Sequence, residues 1–124
     1  MPIVPEFLIK RIYQKGSLKR EEGKITLILK NVLGPGFISG FDFIRINDSI
    51  YGAEKVKFIT QGKEINAKDI TERTPIAFRL GQEGKIILDG IEGLIEGLNK
   101  ITIEAFNPEA GRVSINIQDN FAAA

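Results

Sequence analysis

The sequence predicts an all-β domain: an immunoglobulin-like antiparallel β-sandwich of about seven or eight strands, with at most one or two short helical turns. Three observations predict it. Apolar and polar residues alternate with period two along most of the chain. Turn-forming groups rich in Gly, Pro, Asn and Asp separate these stretches at intervals of about ten residues. Sustained helical periodicity is almost absent, and 124 residues make one domain, 1–124.

Taken in order, residues 7–14 are the first expected strand. Lys15, Lys19 and Arg20 with Glu21 and Glu22 form a mixed-sign loop, expected as a hydrated hairpin tip. In residues 24–30, Ile25, Leu27 and Leu29 share one face and Lys24, Thr26 and Lys30 the other. Leu33-Gly34-Pro35-Gly36 is a turn leading into a strand over 37–46, where Gly40 marks an expected bulge. Asn47-Asp48 turns the chain, residues 56–60 form a strand, and Gln61-Gly62 turns it again. Asn66 as N-cap with Asp69 three residues on predicts one helical turn over 66–70. Ile76, Phe78 and Leu80 form an expected buried row, and Gly81-Gln82-Glu83-Gly84 leads to a strand over 85–89.

Ile91, Leu94, Ile95 and Leu98 recur at helical spacing, but Gly90, Gly93 and Gly97 lie among them. Each Gly costs a helix about 1 kcal/mol against Ala. An apolar loop folding over the end of the sandwich is expected, with a short helix as the alternative. Finally, Ile101, Ile103 and Ala105, then Val113, Ile115 and Ile117, alternate on either side of Asn107-Pro108-Glu109-Ala110-Gly111, which makes a hairpin. A small barrel is the alternative closure.

Composition narrows the function. With no His and no Cys there is no imidazole base, no thiol nucleophile and no nitrogen or sulfur ligand for zinc. Seventeen basic and sixteen acidic residues leave no strong field for nucleic acid. No stretch approaches the ~20 apolar residues of a membrane span, and the first residues lack the order of a signal peptide, so a cytoplasmic protein is expected. Abundant Lys, Glu and Ile beside a single Met give the composition of heat-adapted proteins.

Individual motifs resolve into ordinary structure. Gly34, Gly36 and Gly40 miss the dinucleotide-binding spacing by one residue, and a strand follows them. Phe37, Phe41 and Phe43 beside Arg45 suggest a base-stacking strand, yet core packing explains them better. Asn47-Asp48-Ser49 matches a glycosylation acceptor and reads as a turn. Carboxylates are the one acid/base option left: Asp89, Glu92 and Glu96 in the Gly-rich loop, and Asp69 with Glu72. They define an alternative reading, a carboxylate-based carbohydrate-active or carbohydrate-binding protein.

From 43 to 104 the order of features is Phe43-Ile44-Arg45-Ile46-Asn47-Asp48, Lys55-Val56-Lys57-Phe58, Gly62-Lys63-Glu64-Ile65, Asp69-Ile70 and Ile76-Ala77-Phe78-Arg79-Leu80-Gly81. Lys85-Ile86-Ile87-Leu88-Asp89-Gly90, Gly93-Leu94, Gly97-Leu98 and Ile101-Thr102-Ile103-Glu104 complete it. This succession resembles the small β-sandwich subunits of C-glycoside deglycosidases over about half the chain. In that family the catalytic residues and the metal belong to a larger barrel subunit, so the resemblance implies an accessory role and carries no catalytic residue over.

The expectation is therefore a non-catalytic association module without cofactor or metal, acting with a protein partner or as a homo-oligomer, and with neither nucleic acid nor membrane. Its interface candidates are Leu33, Pro35 and Phe37 at one turn and Ile91, Leu94, Ile95 and Leu98 in another, where apolar bulk exceeds what solvent-facing loops need.

Overall fold

Alternation along Lys24–Lys30 puts Ile25, Leu27 and Leu29 on one side of a strand, and all three are buried. The same rule, repeated down the chain, builds two sheets whose apolar faces meet. A computed structural model describes residues 6–34 and 36–122, with the side chains of residues 6 and 7 outside that description. Its strands are β1 (Lys19–Glu21), β2 (Lys24–Lys30), β3 (Phe37–Ile38), β4 (Gly40–Ile46), β5 (Ser49–Gly52) and β6 (Val56–Thr60). They continue as β7 (Lys63–Asn66), β8 (Ile76–Ala77), β9 (Glu83–Leu88), β10 (Gly97–Asn107) and β11 (Gly111–Phe121).

One sheet has the order β1-β2-β9-β6-β7 and the other β11-β10-β4-β5; β3 and β8 form a two-residue ribbon. Every pairing is antiparallel, and the architecture is the expected all-β sandwich. Ile25, Leu27, Val56, Phe58, Ile86 and Leu88 supply the core from the first sheet; Ile44, Ile46, Tyr51, Ile101 and Ile103 supply it from the second. The 97–121 hairpin forms as expected, and its strands run further than the alternation alone marks. A single 3-10 turn over Ala67–Asp69 fulfils the helical turn expected after Asn66, without a side-chain cap.

Phe58 is wholly buried, with its ring 5.9 Å from that of Phe41 and 5.7 Å, edge-on, from that of Phe78. Gly84 on the neighbouring strand makes room for it, since a Cβ at Gly84 would overlap the Phe58 ring. The tight hairpins Glu22-Gly23 and Gln61-Gly62 have positive φ at both residues, the turn geometry that matches strand twist.

Several expectations are corrected. Residues 7–14 are not a strand: Glu6–Ile9 is helical, Lys10–Ile12 is a 3-10 turn, and only Tyr13 bridges to Leu29. Ile9, Ile12 and Tyr13 turn inward while Lys10 and Arg11 face solvent, which is helical spacing. The row Ile76, Phe78, Leu80 breaks after Ala77. There the Gln82 side chain accepts the Arg79 N–H at 2.9 Å and the Gln82 N–H bonds back to Arg79 O, so Leu80 swings out to 63% exposure.

Residues 37–46 divide at Ser39, and the extra residue lies at Asp42 rather than Gly40, because Phe43 pairs with Glu104 while Phe41 pairs with Ala105. Only Phe41 of the three Phe is core; Phe37 is 53% exposed and Phe43 sits half-buried beside the Arg45 guanidinium. The hydrated tip after Lys15 is confined to Glu22-Gly23, since Ser17 and Leu18 are buried and Lys19–Glu21 pair as β1.

Gly84→Ala is expected to lower stability by about 2 kcal/mol, because the overlap forces Phe58 from its place in a close-packed core. Urea unfolding followed by circular dichroism measures this.

Candidate functional site

The Gly-rich loop between β9 and β10 is not helical; Leu94 packs against the core, Ile91 and Ile95 are 41% and 53% exposed, and Leu98, already the second residue of β10, is 51% exposed. What holds an irregular segment so firmly is a buried amide. Asn99 sits at an inward position of β10, fully buried, and uses all four of its hydrogen-bonding capacities. Its Oδ1 accepts the Ile95 N–H at 3.0 Å and Asn47 Nδ2 at 2.8 Å; its Nδ2 donates to Ile95 O at 2.9 Å and Gly97 O at 3.0 Å.

Asn47, at the β4–β5 turn, extends the clamp. Its Nδ2 donates to Gly93 O at 2.6 Å and its Oδ1 accepts the Lys100 N–H at 3.0 Å. Gly93 has φ +87°, and a Cβ there would overlap the Ile46 carbonyl oxygen, so only glycine fits. The Tyr51 hydroxyl donates to Glu92 O at 2.7 Å and reaches Glu92 Oε2 at 3.2 Å. Burial, followed by the Glu92 carboxylate, pushes Tyr51 up to about 12. Glu92 is held below the usual carboxylate range by a backbone N–H of its own residue and then by the Tyr51 hydroxyl.

The other candidate positions distribute as follows. Asp89, Glu92 and Glu96 are all exposed, as are Asp69 and Glu72. Among the described residues no group of three or more acids is placed to hold a metal ion. Leu33 and Phe37 rim a separate apolar cleft of about 280 Å³, walled by Leu29, Phe41, Phe78 and Ile103. Pro35 lies outside the described residues. Asn31 shapes that rim: its Nδ2 donates to Gly34 O and to Phe78 O, and its Oδ1 accepts the Leu33 N–H at 3.0 Å.

Sequence reasoning passed over Asn31, Asn99 and Asp119 and took Asn47 only as a turn residue, yet these four do the positioning. Asp119 is buried on β11, where it accepts the Tyr13 hydroxyl at 2.6 Å and the Gly16 N–H at 2.8 Å. A signal for two of them exists: Asn99 shares the inward parity of Ile101 and Ile103, and Asp119 that of Ile115 and Ile117. A polar residue in an apolar row is an anchor or a site.

A family model described as "Hydroxymethylglutaryl-CoA reductase, N-terminal domain" matches residues 8–122, nearly the whole chain. A search of the curated proteins finds no match. The family match replaces the resemblance to C-glycoside deglycosidase subunits, of which a small β-rich domain is what remains.

Two outcomes are expected of this site. Asn99→Ala strands several buried partners, so it lowers stability by about 2–3 kcal/mol and speeds exchange of the Ile95 amide, read by urea unfolding and hydrogen exchange. Tyr51 keeps its proton longer in the folded than in the unfolded state. Its contribution to stability is therefore complete below about pH 10 and is lost as pH rises toward 12. In Glu92→Gln the midpoint of Tyr51 falls part of the way back to the ordinary tyrosine value, while Tyr13, raised by burial and Asp119, keeps its own. Absorbance at 295 nm follows both, since the chain has two Tyr and no Trp.

Proposed function

The chain belongs to the family of hydroxymethylglutaryl-CoA reductase N-terminal domains, and from that premise we propose that it is a non-catalytic association module that docks onto the catalytic part of such a reductase through its 91–98 loop. One observation carries the proposal: Ile91 and Ile95 on the loop and Leu98 at the start of β10 stand in solvent, on backbone held by Asn99, Asn47, Tyr51 and the β10–β11 pairing. Exposed aliphatic side chains on a mobile loop cost ordering entropy when they bind. On a clamped loop that cost is already met during folding, and burying them against a partner gains about 1.5–3 kcal/mol for each side chain fully covered.

Composition supports the same division of labour. A chain without His or Cys offers neither imidazole nor thiol, so chemistry that uses them belongs to another part of the protein or to a partner. Of the three exposed carboxylates, Glu92 and Glu96 lie in the docking loop and Asp89 just before it, so polar residues alternate with the aliphatic ones along this stretch. The accessory role expected from the sequence is kept, and its partner becomes a reductase rather than a sugar-acting barrel.

The test is light scattering on size-exclusion of this domain mixed with the catalytic part of a hydroxymethylglutaryl-CoA reductase from the same host. A complex is expected, and the double variant Ile95→Asp with Leu98→Asp weakens it at least tenfold while leaving the circular dichroism spectrum unchanged. Unaltered association of the double variant, or self-association without any complex, overturns the proposal.

A further inference from the structure

Away from the docking loop, a concavity of about 550 Å³ opens beside the outer hairpin. Three lysines from separate elements line it: Lys10 on the 3-10 turn after the first helix, Lys15 in the loop that follows, and Lys100 on β10. Among the described residues no acidic side chain lines the concavity, and none of the three ammonium groups is paired with a carboxylate. The setting is basic more widely. Residues 8–20 hold five Lys and Arg and no acid, although the whole chain has a net charge of only +1.

The neutral groups in the wall have the matching polarity. Thr102 Oγ1 donates to Asn116 Oδ1 at 3.0 Å, which engages the amide through its oxygen and identifies its NH2 as the donor end. Gln118, on the same exposed face of β11, lines the concavity as well. The Tyr13 proton is committed to Asp119, which lies buried behind it, so Tyr13 adds a wall rather than a donor. Three ammonium side chains and two amides line one space that no carboxylate lines, and a bound anion would pair with that excess of positive charge.

We propose that this concavity is a binding site for a small, multiply charged oxyanion, phosphate or polycarboxylate, held by Lys10, Lys15 and Lys100 and oriented by the amides of Asn116 and Gln118. Phosphate and carboxylate groups share the chemistry that a cluster of ammonium and amide donors recognises. The site is distinct from the docking loop, so it stands or falls on its own.

The probes are inorganic pyrophosphate and citrate, titrated by calorimetry at low ionic strength against the intact chain. Saturable one-to-one binding is expected, with shifts of the Asn116 and Gln118 side-chain NH2 resonances. Lys10→Gln, Lys15→Gln and Lys100→Gln each weaken it about three- to fivefold, and the triple variant abolishes it with an unchanged circular dichroism spectrum. Preference for pyrophosphate identifies a phosphate ligand, and preference for citrate a carboxylate one. A neutral variant of the docking loop, Ile95→Ser, binds the probes as the parent does. Binding that persists in the triple variant, or that chloride at matched ionic strength displaces equally well, marks an adventitious ion only and overturns the proposal.

Discussion

A buried amide with four hydrogen bonds tolerates one arrangement of its neighbours, and Asn99 imposes that restriction where the two sheets hand the chain from one to the other. Leaving any of its partners unmade costs the full desolvation of a polar group in the protein interior. The loop it organises carries two glycines with positive φ, Gly90 and Gly93, and no regular backbone ladder, and a third, Gly97, opens β10. Without Asn99 and Asn47, that segment has little reason to prefer one path. With them, Leu94 goes in and Ile91, Ile95 and Leu98 come out.

The same device recurs at the rim of the apolar cleft, where Asn31 ties the Gly34 and Phe78 carbonyls together. The sandwich uses hydrophobic burial for its middle and satisfied side-chain amides for its ends. The division follows from chemistry. Aliphatic rows are indifferent to small displacements along a strand, whereas a carboxamide distinguishes its neighbours at the scale of a hydrogen bond. Surfaces meant to meet another molecule need that finer control, and both rims of exposed aliphatic residues have it.

Much of the fold was legible in the sequence because one face of each sheet is buried, which writes period two into the chain. Lys24–Lys30, Val56–Thr60 and the long hairpin are plain for that reason. Residues 7–14 were misread because Ile9, Ile12 and Tyr13 fit a helical face within a run too short to separate the two periods. Leu80 was misplaced because a side chain, that of Gln82, ends the strand, and propensity does not register such captures. The candidate interface residues were found from their apolar bulk alone. Their supports were not, because Asn47 and Asn99 lie 52 positions apart and act only once the fold joins them. Lys15 read as part of a mixed-sign hairpin tip, and its grouping with Lys10 and Lys100 was not legible because Lys100 lies far along the chain from both.

The hydrogen bond from Tyr13 to Asp119 spans 106 positions. It ties a segment made early in synthesis to the last strand of the sandwich, and the same carboxylate holds the Gly16 N–H. While the chain is still emerging from the ribosome, the flank of the first sheet beside Tyr13 has nothing to close against until β11 follows. The part of the core that Ile115 and Phe121 cover closes last, and contacts this far apart in the chain raise the contact order, which slows folding. The domain thus completes itself only at its end, a sequence of events in which a chaperone or a tethered neighbour has time to shield the exposed apolar rows.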